Sequence, residues 1–78
     1  MVEAMVLLDS VDKVKDFVEI TRRAPYECDL TAGRYKVDGK SIMGVLSLDL
    51  SKPVLLTLHD GDTITEQDAL EDYGEYIL

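Results

Sequence analysis

This chain has no tryptophan, one histidine and one cysteine, and half as many bases as acids, 8 against 16. Each shortage narrows the field. The single cysteine, Cys28, makes no internal disulfide, which fits a reducing compartment, and a cytoplasmic location is expected. One histidine and one cysteine do not make a zinc site, and no ligand pair stands at useful spacing. Asp60, Asp62 and Glu66 lack the regular ligand series of a calcium hand, so no metal is expected. There is no glycine-rich phosphate loop and no nucleophile–base–acid set to assemble around a lone histidine. No catalytic residue is therefore assigned, and no cofactor. The scarcity of Lys and Arg, with a net charge of −8, argues against nucleic acid and against anionic membrane surfaces, both of which need clustered cations. Basic protein partners stay open. No apolar run approaches the roughly 20 residues that span a bilayer. Met1-Val2-Glu3 lacks the basic start of a secretory signal, so the expectation is a mature chain that begins here and stays inside the cell.

What is present is a globular pattern. Hydrophobic residues make up 46% of 78, enough for a single domain over 1–78 with a modest core. Val2 to Leu8 reads as a strand with Val2, Ala4, Val6 and Leu8 on one face. Asp9-Ser10 offers a cap for a helix to about Thr21, in which Val11, Val14, Phe17 and Val18 recur at threes and fours. Pro25 ends it, because the residue before proline avoids helical angles. Tyr26, Cys28 and Leu30 alternate with Glu27, Asp29 and Thr31 as a half-buried strand. Ala32-Gly33 reverses the chain, and Arg34 to Val37 returns with Tyr35 and Val37 inward, completing a hairpin. Val54 to His59 is a further strand after Pro53. Asp60-Gly61-Asp62 is a turn. Thr63 or Thr65 caps a last helix to about Ile77, with Ala69, Leu70, Tyr73 and Ile77 as its inner stripe and Gly74 as a weak point.

Between the hairpin and the last strand lies the most informative stretch, Asp38 to Leu48. Asp38-Gly39 signals a turn in which glycine supplies a positive φ. Ser41 can cap a short apolar helix by accepting a backbone N–H two or three residues on. Ile42, Val45 and Leu46 form a stripe for burial; Met43 falls off it and is left for the surface. The expected architecture is α+β, an open-faced β-sandwich of order β-α-β-β-α-β-α. Its four-stranded antiparallel sheet carries three helices on one face.

Lys40-Ser41-Ile42-Met43-Gly44-Val45 resembles the serine-site segment of HPr, the small phosphocarrier of the bacterial sugar phosphotransferase system, in its Gram-positive form. The likeness extends more weakly over nearly the whole chain through element order and length. It implies a protein of sugar transport and carbon catabolite regulation. Its protein partners would be a serine kinase/phosphorylase, phosphotransferase components or a transcriptional regulator. It also implies that Ser41 is a regulatory phosphorylation site, and that the apolar surface with Lys40, Ile42 and Met43 binds partners. A phosphate on Ser41 would sit at a helix N-terminus, where negative charge is favoured.

The likeness fails at one place. The family's active histidine begins the first helix, with an arginine two residues later. Here Ser10 falls at the histidine position and Asp12 at the arginine. No histidine or arginine occurs between Met1 and Thr21. A phosphoserine ester is not the high-energy, reversible carrier that phosphohistidine is, and Asp9, Asp12 and Asp16 would repel a phosphoryl group. Ser10 is read as a helix cap. The expected function is a non-catalytic regulatory and binding module of HPr type, a form with family precedent among catabolite-repression homologues that lack the histidine. The alternative is a phosphocarrier in sugar uptake using a non-standard site, for which His59 is the only histidine. Cys28 is read as a small buried hydrophobe.

Overall fold

The computed structural model describes residues 2–24, 27–59, 70–71 and 73–78. Within them the order is β1 (Val2–Val6), α1 (Val11–Arg23), β2 (Glu27–Ala32), β3 (Tyr35–Asp38), α2 (Ile42–Leu46) and β4 (Val54–His59). The fold is α+β, with a four-stranded antiparallel sheet in the order β1-β4-β2-β3 and two helices among the described residues. The Asp60-Gly61-Asp62 turn, the Thr63 and Thr65 caps and the Asp60, Asp62 and Glu66 carboxylates lie outside the described residues. So do Pro25 and the inward positions given to Tyr26 and Ala69.

Alternation along the strands decides which face is covered. Val2, Ala4 and Val6 stand opposite Leu58, Leu56 and Val54, and Cys28 and Leu30 stand opposite Leu58 and Leu56. Side chains alternate strictly between faces, so these share one side. Val14, Phe17 and Val18 of α1 and Val45 of α2 join them in one buried cluster. The other side carries Glu3, Glu27, Asp29, Thr31 and Lys36, and no described helix of the core cluster lies on it, although Thr57, between Glu3 and Asp29, is buried there. Burying a Leu or Phe fully stabilises by about 1.5–3 kcal/mol, so the core of both layers rests on this alternation.

α1 follows its pattern and runs further than Thr21. Ser10 caps it, its Oγ accepting from the Lys13 N–H at 3.2 Å. Asp12 occupies the first turn and Arg22 and Arg23 the last, as the helix dipole favours. Ala24 leaves the helix at φ −70°, ψ 138°, the extended geometry that a following proline imposes. Val11 is a correction: it is 56% exposed. It opens the helix and lines the open hollow that Leu46 and Leu50 share.

Three further expectations change. β1 stops at Val6, because its partner β4 begins at Val54 and Pro53 has no N–H to extend the ladder. Leu8 is buried all the same. Tyr35 pairs with Ala32 on the inward side yet is 73% exposed; it stands at the hairpin end, beyond the cover of either helix. The positive φ belongs to Gly33, at 60°, and not to Gly39. Gly39 is needed for close approach instead: its N–H bonds the Cys28 carbonyl at 2.8 Å, and a Cβ there would stand 3.3 Å from both the Cβ and the O of Cys28.

The largest correction concerns the C-terminal segment. Residues 70–71 are helical, but 73–76 form turns and Ile77 makes an antiparallel bridge to Val6. The Leu7 N–H donates to the Tyr76 carbonyl at 2.9 Å and the Leu78 N–H to the Met5 carbonyl at 3.1 Å. The cause is β1's place at the edge of the sheet, where its outer N–H and C=O groups need partners. Gly74 makes the helix cheap to leave. Tyr73 and Tyr76 enter the core on either side of that turn, with ring centroids 5.4 Å and 6.1 Å from Phe17. The Tyr73 hydroxyl and Thr21 Oγ1 form a buried hydrogen bond of 3.0 Å.

Candidate functional site

Ser41 sits where the sequence places it, at the N-cap of α2, with its Oγ accepting the Gly44 N–H at 3.2 Å. The approach is built by a local turn. Asp38 Oδ1 accepts the Lys40 N–H at 2.9 Å, and the Ser41 N–H bonds the Asp38 carbonyl at 3.0 Å. Gly44 leaves room for this cap: a Cβ on it would come within 3.4 Å of both Ser41 Oγ and Val37 Cβ.

Lys40 is held against the end of α1. Its ammonium donates to the Ala24 carbonyl at 3.2 Å, and its own carbonyl accepts from Arg22 Nε–H at 3.2 Å. A cation at the C-terminal end of a helix is favoured by the dipole. The start of α2 is thus stapled to the end of α1, while Leu46 at its far end lines a hollow with Val11, Leu8, Val14 and Leu50. The two helices run antiparallel, and their caps, Ser10 and Ser41, lie at opposite ends of the pair. The hollow measures about 330 Å³.

α2 turns out more than the sequence implied. Met43 is 81% exposed, as expected, and Leu46 is 46% exposed, against the expectation of burial. Ile42 is half-buried and Val45 fully buried. Five residues make little more than one turn, so only one side chain points straight into the core. The sequence signal was the shortness of the apolar run before Ser47 and Asp49.

His59 lies on the same side of the sheet as Asp29 and Thr57, as alternation from Leu58 requires. Its Nε2 is 2.6 Å from Asp29 Oδ2, and Lys36 Nζ is 3.4 Å from the same oxygen. Sequence reading missed this cluster. Alternation puts both Asp29 and His59 on the side away from Leu30 and Leu58, but only the register of β2 on β4 brings them together.

Cys28 is buried, and burial pushes its thiol up to about 11, offset in part by a hydrogen bond to Tyr73. The thiolate that reactivity requires is therefore suppressed at neutral pH. Asp9 is held below the usual carboxylate range by its hydrogen bond and charge pairing with Lys13, at 2.8 Å. Asp49 is lowered by hydrogen bonds from Ser51. Burial raises Tyr76.

No described helix is long and apolar enough to cross a membrane. No protein-family model matches the chain, and no curated protein matches it significantly in sequence.

Proposed function

We propose that this chain is an HPr-like regulatory and binding module without a phosphocarrier histidine. Partner proteins read it through α2, and phosphorylation of Ser41 switches it. The observation that carries this reading is the pairing of a half-buried cap hydroxyl at Ser41 with apolar side chains standing out on the same helix, Met43 above all. Exposed apolar groups gathered on one element suit a docking surface, and methionine adapts to different partners. The element order through β4 is the one the resemblance implies.

A phosphate on Ser41 would keep the acceptor role toward the Gly44 N–H and add close to two negative charges. Arg22 and Lys40, already beside the cap, would supply countercharge. Ser10 at the histidine position is engaged as the cap of α1, with Asp9 and Asp12 around it.

The test is a pair of labelling reactions. ATP with an HPr-type serine kinase is expected to give acid-stable phosphate on Ser41 and none in Ser41→Ala. Phosphoenolpyruvate with the general phosphotransferase enzyme is expected to give none. Acid-labile phosphate on His59 would overturn the reading in favour of a phosphocarrier. That second reading has one observation behind it, the carboxylate of Asp29 holding the imidazole through Nε2, which fixes tautomer and orientation.

A further inference from the structure

We propose that the hollow at the hairpin end of the molecule, away from Ser41, binds a small aromatic anion. The site is framed by the β2–β3 turn on one side and the loop from α2 to β4 on the other. It measures about 570 Å³ and includes Tyr35, Arg34, Lys52, Leu48, Pro53 and Asp49 among its lining. That volume falls within the range of small-molecule sites.

The distribution of cations points to this place. The chain has eight bases against sixteen acids. Five of them are committed: Lys13, Arg23 and Lys36 to carboxylates, Arg22 and Lys40 to backbone carbonyls. The side chains of Lys15 and Arg34 have no hydrogen bond or ion pair among the described residues, and Lys52 has none either, although its charge acts on the nearby Asp49 carboxylate. Two of those three line this one hollow. A molecule so acidic gains nothing in solubility by placing in one hollow two cations that lack a direct bond among the described residues; an incoming anion would use them.

Tyr35 supplies the second half of the recognition. By register it lies on the inward side of the sheet, yet it is 73% exposed, and it shares the lining of the hollow with Arg34 and Lys52. Leu48 and Pro53 give apolar floor. The wall is preformed: Gly33, at φ 60°, fixes the turn that carries Arg34. Asp49 Oδ1 accepts both the Ser51 N–H, at 3.1 Å, and the Ser51 hydroxyl, at 2.6 Å. That carboxylate is the one negative group in the lining. Ser51 and the Lys52 charge offset it, which leaves Arg34 as the cation for the ligand's oxyanion and Tyr35 for its ring. Arg favours planar oxyanions through its forked donors, and aromatic rings prefer offset or edge contacts.

The shared chemistry is an aromatic ring bearing a phosphate or a carboxylate. Phenyl phosphate and benzoate separate these two sources. Each is titrated into the 15N-labelled full chain and followed by amide chemical shifts. At least one is expected to give saturable shifts confined to 32–35 and 47–52. Affinity should fall about tenfold or more in the R34A/K52A double variant, the loss expected for charged hydrogen bonds. In Y35A it should fall severalfold. Inorganic phosphate and phenol should each bind more weakly than the better probe. These side chains are exposed, and unchanged cross-peaks from β1 and α1, away from the substitutions, show that each variant is folded. Absence of saturable shifts with both probes overturns the proposal. So does unchanged affinity in R34A/K52A, or inorganic phosphate binding as tightly as phenyl phosphate.

Discussion

α1 and α2 begin with the same device. Ser10 and Ser41 both stand in extended backbone, and each accepts the N–H of the residue three further on at 3.2 Å. After that the helices part. α1 continues for 13 residues and buries Val14, Phe17, Val18 and Thr21. α2 stops after five and buries Val45 alone. A helix that short does not stand by its own hydrogen bonds. α2 persists because Asp38, Lys40 and Arg22 fix its start and the Ser47 N–H and hydroxyl close its end. The difference teaches that one capping motif can serve two ends. In α1 it completes an element held by the core; in α2 it presents apolar side chains to solvent.

Breaking the core side of this comparison gives the largest effect. Phe17→Ala removes the ring against which both Tyr73 and Tyr76 pack and should cost about 3–5 kcal/mol, read as a fall in the urea midpoint at unchanged slope. The caps come next. Ser10→Ala should lower global stability by about 1 kcal/mol. Ser41→Ala is expected to act locally, raising hydrogen exchange at the Gly44 amide more than at any amide of the sheet. Equal effects of the two on global stability would erase the distinction between the helices. Smallest is Met43→Ala, expected within about 0.5 kcal/mol of the parent, with its loss visible only in partner binding.

A pH series sharpens the same contrast. Cys28 beneath the sheet has a folded pKa raised from 9.0 to about 11. Its contribution is complete below pH 9 and is lost as pH rises from there through 11, because the unfolded thiol ionises first. Cys28→Ala should flatten this alkaline fall in denaturation curves. Asp9 and Asp49 work in the opposite direction. Their lowered pKa values give stability present above the ordinary carboxylate value of 3.8 and lost as pH falls through the folded values.

The sheet, α1 and the cap at Ser41 were legible because each rests on a local rule: alternation, a long 3.6-residue period, a hydroxyl before an apolar run. Coverage was not legible. Alternation gives the side on which Tyr35 lies, but not whether anything lies over it, and periodicity gives the stripe of Leu46 without the depth. The C-terminal segment failed for a related reason. Leu70, Tyr73 and Ile77 have helical spacing, yet the unpaired outer edge of β1 offers hydrogen bonds that only the assembled sheet provides. The cluster of Asp29, Lys36 and His59 is likewise a product of register. The Ser41 segment carried its resemblance on a six-residue motif; the gathering of Arg34 and Lys52 in one hollow with Tyr35 became visible only once the loop from α2 to β4 was seen beside the β2–β3 turn.

The bridge from Val6 to Ile77 has a consequence for how the chain comes to be folded. During synthesis, residues near the front of the chain leave the ribosome long before those near the back. The first strand can settle against β4, but its outer flank and the space under Phe17 wait for Tyr73, Tyr76 and Ile77. Contacts so distant along the chain slow folding, and a nascent chain halted before these residues would hold a sheet lacking its final seal.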